Sequence, residues 1–306
     1  MSYPDTPTLI ERLVNFKPPN KEFGQHYLND DEVLARAVEL GNPTTGDIVL
    51  EIGSGPGSLT AHLLASGAKV VAIEVDPDSC THLEEIFTDD LSSGALTLIQ
   101  DDALEVKIPA EITHVIANIP YQISSPLIER LLKHHRSGRG LQVVVLLLQE
   151  EFAERLAMSE GPASFGPLGI TTAFEWLVEL DRIVHSHCFK PAPAIHSRLV
   201  RLSPLEEPHM LPNGITTPSV KFASMIVREC FTERRKKMRN RLNQTPKRIA
   251  RAKGWYAKAY RAAAKAVIAN EELLGLPTGW QEARPEQLSV MNWLVLASHI
   301  EAQKEA

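Results

Sequence analysis

Apolar strings and helical stretches alternate through the first half of the chain, and no other feature constrains the fold as tightly. DIVLEI (47–52), KVVAIE (69–74), ALTLIQ (95–100), THVIAN (113–118) and LQVVVLLL (141–148) are continuous or β-branched apolar runs. Between them lie stretches of helical periodicity such as SLTAHLLAS and DSCTHLEEIF. A strand without polar alternation is covered on both faces, and strand followed repeatedly by helix builds a parallel sheet between helical layers. TTAFEWLVEL (171–180) and SRLVRLSP (197–204) supply two further candidate strands. After SPLEEPHMLPNG the pattern turns helical and rich in Ala, Arg and Lys, and there is no internal repeat. The expected organisation is therefore an α/β domain over residues 1–205 and a smaller all-helical domain over 206–306.

Composition narrows the class. With 306 residues, 43% hydrophobic and 23% charged, the chain has ordinary globular usage and enough length for one large and one small core. Its longest apolar run, VVVLLL (143–148), is far too short to span a bilayer, and MSYPDTPTLIERL carries early acids without the apolar centre of a secretory leader. Cys80, Cys188 and Cys230 have neither disulfide nor metal spacing, so packed thiols in a cytoplasmic protein are expected. No HxxxH or His/Cys cluster appears among the eleven histidines, so no metal site is expected, and Met and Trp in VMNWLVLASHI (290–300) read as the core face of a terminal helix.

The net charge of -6 conceals a segregation. Arg228 to Arg251 holds ten Arg/Lys against Glu229 and Glu233, a local +8 that leaves about -14 for the rest. A basic face on an acidic protein points to an anionic partner, the plainer alternative being a solvated helix face.

The first chemical motif follows the first long strand. In EIGSGPGSLT, Gly53, Gly55 and Gly57 permit a tight turn and a close approach of backbone to ligand, and the helix that follows offers unpaired N–H groups. The spacing is GxGxG, with Ser58 where the dinucleotide fingerprint has its third glycine one place later, and no GK[ST] follows, so neither the NAD fingerprint nor a P-loop is matched. Glu74 ends the next strand, where a carboxylate can accept both hydroxyls of an adenosine ribose; NAD and S-adenosylmethionine satisfy it equally. Asp101 and Asp102 end the strand after that, and Asp102 is placed to accept from an adenine amino group. With Glu51, three acids fall at successive strand ends, which favours a nucleoside over a set of helix caps.

NIPY, Asn118 to Tyr121, ends the fourth run. An exocyclic amine on a base has its lone pair delocalised into the ring, and attack on a sulfonium methyl requires that nitrogen to become tetrahedral. Hydrogen-bond acceptors on its hydrogens, the Asn118 amide oxygen and a carbonyl at Ile119 or Pro120, favour that geometry, while Tyr121 stacks the flipped base. A neutral amide suffices because no strong base is needed.

FGQHYLND (23–30), EIGSGPGSLT (51–60), IEVD (73–76), DDALEV (101–106), NIPYQISSPL (118–127), FKPAPAIHSRLVRL (189–202) and CFTERRKKMRNRL (230–242) together resemble the small-subunit rRNA adenine dimethyltransferases, which make two adjacent N6,N6-dimethyladenosines near the 3′ end of that rRNA. The resemblance runs in order from about residue 17 to RPEQLSV (284–290). It implies a Rossmann-like S-adenosylmethionine-dependent methyltransferase domain followed by a helical domain that docks rRNA. It further implies cofactor contacts at His26, Leu28, Gly53, Gly55, Glu74, Asp102 and Asn118, catalysis by Asn118, Ile119, Pro120 and Tyr121, and an aromatic, Phe189, that sandwiches the adenine against the tyrosine. The basic residues Arg234, Arg235, Lys236, Lys237, Arg239 and Arg241 are expected on RNA, the partner being small-subunit rRNA in a pre-ribosomal particle and the enzyme a monomer. His26 and Gln122 stand where many bacterial members have asparagine, and Ile119 where leucine is common, a pattern closer to archaeal and eukaryotic members; the short chain without a targeting segment points to an archaeal one. Two alternatives remain at this level: the macrolide-resistance methyltransferases of large-subunit rRNA, which share the glycine and NIPY motifs, and an assembly factor that has kept the fold without the chemistry.

Overall fold

The computed structural model describes residues 3–20, 23–137, 140–212 and 214–304. Among the described residues nine strands form: β1 (Tyr27–Leu28), β2 (Ile48–Ile52), β3 (Lys69–Glu74), β4 (Leu96–Gln100), β5 (His114–Asn118), β6 (Val143–Gln149), β7 (Trp176–Val184), β8 (Phe189–Lys190) and β9 (Ser197–Pro204). Seven of them make one sheet in the order β4-β3-β2-β5-β6-β9-β7, and β1 pairs with β8 in a small antiparallel ribbon. The β4-β3-β2-β5-β6 stretch is parallel throughout, and β9 runs antiparallel to β6. This is the parallel sheet that the alternating pattern implied, in the Rossmann-like architecture that the family resemblance implied.

Both faces of the sheet are covered, which explains the unbroken apolar runs. Val49, Val70, Ala72, Ile116, Val145 and Leu147 share one core cluster with the helices. Their alternate neighbours Leu50, Val71, Ile73, Val115 and Leu146 point the other way and are buried as well. From β2 the chain winds outward through β3 and β4, then returns to β5 on the other side of β2. That reversal opens a crevice at the carboxyl ends of β2 and β5, the place where open α/β sheets bind ligands.

The chain divides into two compact units, residues 1–153 with 178–204, and residues 154–177 with 205–306. The boundary after Pro204 falls where the composition changes, but 154–177 belongs to the second unit rather than to a continuous 1–205 domain. The reason is packing: Ile170 and Phe174 sit in the same core as Phe222, Trp255, Tyr260 and Trp293. TTAFEWLVEL accordingly is not one strand. Its first residues finish a helix, Pro167–Thr172, and β7 begins only at Trp176. The rest of the second unit is helical, with main helices Val220–Phe231, Ala257–Ala269 and Val290–Ala302. Trp293 on the last of these is buried, as its spacing predicted, and Phe222 stacks on Trp255 at 4.6 Å. The three cysteines are free and buried. Among the described residues no helix is long and apolar enough to cross a membrane, and no group of three or more His, Cys, Asp and Glu is arranged to hold a metal ion.

Candidate active site

At the crevice in the first unit lies a cavity of about 290 Å³, lined by Gly53, Gly55, Glu74, Asp102, Asn118 and Tyr121 among others. Its floor is the turn after β2. Gly55 has φ +51°, and a Cβ there would meet the Tyr27 ring at 3.1 Å. Gly57 serves packing instead: a Cβ at its φ of +84° would strike Phe87 at 2.5 Å, so the third glycine lets the helix Ser58–Ala65 approach its neighbour.

Glu74, at the end of β3 and 4% exposed, is held by two backbone donors, Gly55 N to Oε2 and Asp76 N to Oε1, each at 2.9 Å. Burial pushes its carboxyl above the usual range, and these amide bonds pull the other way. Each oxygen keeps a further lone pair, and Glu74 lines the cavity, so the carboxylate is held without being used up. Asp76 secures that hold from behind. Its carboxylate accepts from Lys17 Nζ at 3.0 Å and Gln25 Nε2 at 2.8 Å. The segment that forms one cavity wall, Phe23 to Leu28, is thereby tied to the strand that carries Glu74. Neither Asp76 nor Gln25 belongs to the site expected from sequence; the acid two places after Glu74 in IEVD is the one local signal for the first.

Glu51 also lines the cavity; burial pushes its carboxyl up to about 7, against the bond it accepts from Thr60 Oγ1 at 2.6 Å. Asp102 is exposed at the rim after β4, with Oδ1 accepting from Leu104 N at 2.8 Å. The loop behind it is pinned by Arg130, whose guanidinium donates to the carbonyls of Leu104 and Val106.

Asn118 ends β5, and its Nδ2 donates to the carbonyl of His26 at 3.3 Å. That bond turns the amide so that Oδ1 is the atom left as an acceptor. Ile119 is buried and Pro120 opens the single turn that presents Tyr121, whose hydroxyl shares a 2.6 Å hydrogen bond with Ser197 Oγ. Facing Tyr121 is the His26 ring, 6.1 Å away and inclined by 22°. His26 Nδ1 donates to the carbonyl of Pro191 at 2.8 Å, so both walls are fastened to the loop between β8 and β9. His26, Leu28, Gly53, Gly55, Glu74, Asp102 and the NIPY residues are thus all brought to one cavity. Phe189 is not among its lining residues. Paired with Leu28 across the β1–β8 ribbon and 3% exposed, it packs in the sheet core, and the ring that faces Tyr121 is that of His26.

The basic segment behaves differently from its composition. Arg241 is 2% exposed and donates to Glu229, Glu233, Thr232 Oγ1 and the Glu229 carbonyl. The expectation that Arg241 meets RNA is therefore corrected: its fork is occupied inside the second unit. Lys237 and Arg239 share Glu282, Lys236 pairs with Glu233, and Arg234 lies 4.0 Å from Glu286. These four side chains and Arg235 are exposed.

The model of the family described as ribosomal RNA adenine dimethylase matches residues 17–263. A relative from Haloarcula marismortui, named "Probable ribosomal RNA small subunit methyltransferase A", is 40% identical over 72% of this chain and 74% of its own. A cyanobacterial relative from Synechococcus, named "Ribosomal RNA small subunit methyltransferase A", is 33% identical over 91% of this chain and 92% of its own. Among solved structures, a dimethyladenosine transferase from Plasmodium falciparum superposes with a TM-score of 0.68 at 25% identity, covering 90% of this chain and 98% of that one. Matched in sequence across both of its units and in architecture along nearly its whole length, the chain belongs to the ribosomal RNA adenine dimethylase family.

Proposed function

We propose that this protein transfers methyl groups from S-adenosylmethionine to N6 of two adjacent adenines near the 3′ end of small-subunit rRNA, acting as a cytoplasmic monomer on a pre-ribosomal particle. The observation that carries this reading is the Asn118 amide, one Nδ2 hydrogen of which is held by the His26 carbonyl so that Oδ1 is left as an acceptor, in the lining of the cavity beside Tyr121. An amide oxygen left free in this way suits an exocyclic amine.

The residues present fit the cofactor. Glu74 keeps lone pairs for a ribose diol, Asp102 has an oxygen for an adenine amino group, and Gly53 and Gly55 leave backbone open to close approach. When bound, S-adenosylmethionine supplies an electrophilic methyl on a sulfonium. The chain's own work is to hold the amine opposite it. Asn118 Oδ1 accepts from the N6 amino group, and this bond strengthens as the nitrogen leaves conjugation with the ring and gains positive character. Tyr121 offers its face to the base, its hydroxyl kept out of the way by Ser197. The departing proton needs only water, because a methylated amine cation of this kind is strongly acidic.

Methyl transfer from S-adenosylmethionine into under-methylated small-subunit particles, located by mass spectrometry of the rRNA, tests the proposal directly. Label in large-subunit rRNA instead, or none at all, would overturn it. Glu74→Ala should raise the S-adenosylmethionine dissociation constant roughly ten- to hundredfold, since hydrogen bonds to a charged partner contribute about 1.5 to 3 kcal/mol. Unchanged binding by calorimetry would take Glu74 out of the cofactor site.

The second unit, in this reading, docks the rRNA through Arg234, Arg235, Lys236, Lys237 and Arg239. Phosphates must compete there with Glu282, Glu286 and Glu233, so the patch is a weaker anion site than its local charge suggests. Replacing Arg234, Arg235 and Lys237 with Gln should lower the slope of log affinity against log salt by roughly two, at about 0.7 to 0.9 for each phosphate released. Affinity for S-adenosylmethionine should stay at the parental value. A parental salt slope in this variant would return the segment to a solvated, self-paired face.

A further inference from the structure

We infer that the loop surface of His185, His187, Ile195 and His196 is where the RNA strand flanking the target adenine lands; this rests on the function proposed above and assigns the place of the neighbouring nucleotides. The three imidazoles form one cluster. The His185 and His187 rings are stacked at 5.6 Å and 11°, and His196 stands edge-on to His185 at 4.9 Å and 88°. All three are exposed, as are Lys190 and Ile195, the latter 44% so. Ser186 N donates to His196 Nδ1 at 3.3 Å, and a neutral imidazole that accepts at Nδ1 carries its hydrogen on Nε2, which is left as a donor. Among the described residues none of the three histidines, nor Lys190, forms an ion pair with a carboxylate, and the cluster is not arranged to hold a metal ion.

What gives the surface its meaning is how the loop is anchored. Pro191 O accepts from His26, and Ser197 Oγ bonds the Tyr121 hydroxyl. Leu28 pairs with Phe189 at its start, and Glu150 N donates to the His196 carbonyl near its end. The loop is therefore fastened to both rings that flank the reaction cavity. An adenine brought to Asn118 remains covalently joined to a nucleotide on each side, and these cannot lie far from that rim. Unstacked, they need flat faces, N–H donors for their phosphates and an apolar side chain to replace the lost neighbour. The stacked His185 and His187 just before β8, Lys190 in β8, and Ile195 and the His196 donor in the loop after it offer that set together.

Two measurements test this on the full-length protein with under-methylated small-subunit particles. Replacing His185, His187 and His196 together with Ala should raise KM for the particles roughly ten- to hundredfold, the usual size of losing a base-stacking platform, with kcat at saturating particles and S-adenosylmethionine affinity retained. Since the native thiols are buried, Ala194→Cys supplies a single exposed thiol for a tethered hydroxyl-radical probe. Its cuts should centre within a few nucleotides of the methylated adenines. A parental KM in the triple variant, or cuts remote from those adenines or confined to ribosomal protein, would overturn the assignment. If the unsubstituted protein leaves the particles unmethylated, the function itself fails and the surface falls with it; an active parent with a parental triple variant isolates the failure to the surface.

Discussion

Asn118→Ala is expected to lower kcat for methyl transfer by about a hundred- to a thousandfold while weakening S-adenosylmethionine binding less than about tenfold. One preorganised polar group aimed at developing charge is worth roughly that much in an enclosed site. The amide sits at the end of β5, where the sheet fixes its Cα, and the His26 carbonyl fixes its rotation. Truncation removes the acceptor that follows the nitrogen into its tetrahedral form, so the transition state loses more than the ground state does. Asn118→Asp should not restore activity, although it keeps an oxygen at the acceptor position. A carboxylate has no hydrogen for the His26 carbonyl, and the two oxygens would repel, swinging the side chain out of place. Single-turnover rates and calorimetry on the same preparations separate the two effects. Turnover near the parental value in Asn118→Ala would remove the amide from the mechanism.

The contrast between NIPY and Phe189 shows which parts of the site were legible in the sequence. Glu74, Asp102 and Asn118 sit at the ends of strands whose burial on two faces wrote them as unbroken apolar runs, so their position on one sheet edge followed from topology alone. Phe189 lies outside the parallel sheet. Whether its ring enters the cavity depends on a two-residue ribbon with Leu28, which no periodicity announces. The same limit hid Asp76, whose partners Lys17 and Gln25 are some fifty or more residues earlier in the chain. Charge counting along the basic segment failed for a related reason. Glu282 and Glu286 fold back onto it from a distant turn, a pairing that a local window cannot contain. TTAFEWLVEL misled in another way: its apolar residues satisfy a helix end packed in one core and a strand in another, and composition does not say where the change occurs.

Arg241 carries the sharpest consequence of that failure, because its replacement should damage the second unit and not the RNA contact proposed for it. Arg241→Ala is expected to destabilise this unit by about 3 to 5 kcal/mol, the usual result of removing one partner from a buried ionic network. The guanidinium donates to two carboxylates, a hydroxyl and a carbonyl, and its loss leaves Glu229 largely buried without its counter-charge, next to a void where a long side chain had packed. Arg241→Lys should recover only part of the loss, since a single ammonium cannot reach four acceptors that a planar fork spans. All four tryptophans, Trp176, Trp255, Trp280 and Trp293, lie in this unit, so intrinsic fluorescence during urea unfolding reports on it selectively. The midpoint should fall clearly in Arg241→Ala and stay within experimental scatter in Arg235→Gln, whose exposed side chain has no such partners among the described residues. The salt dependence of particle binding should behave the other way round, changing in Arg235→Gln and holding in Arg241→Gln at temperatures where that variant is folded, both substitutions removing the cation. An Arg241→Gln protein with parental stability and a reduced salt slope would mean that this arginine reaches phosphate after all, and that the carboxylates around it release it when RNA arrives.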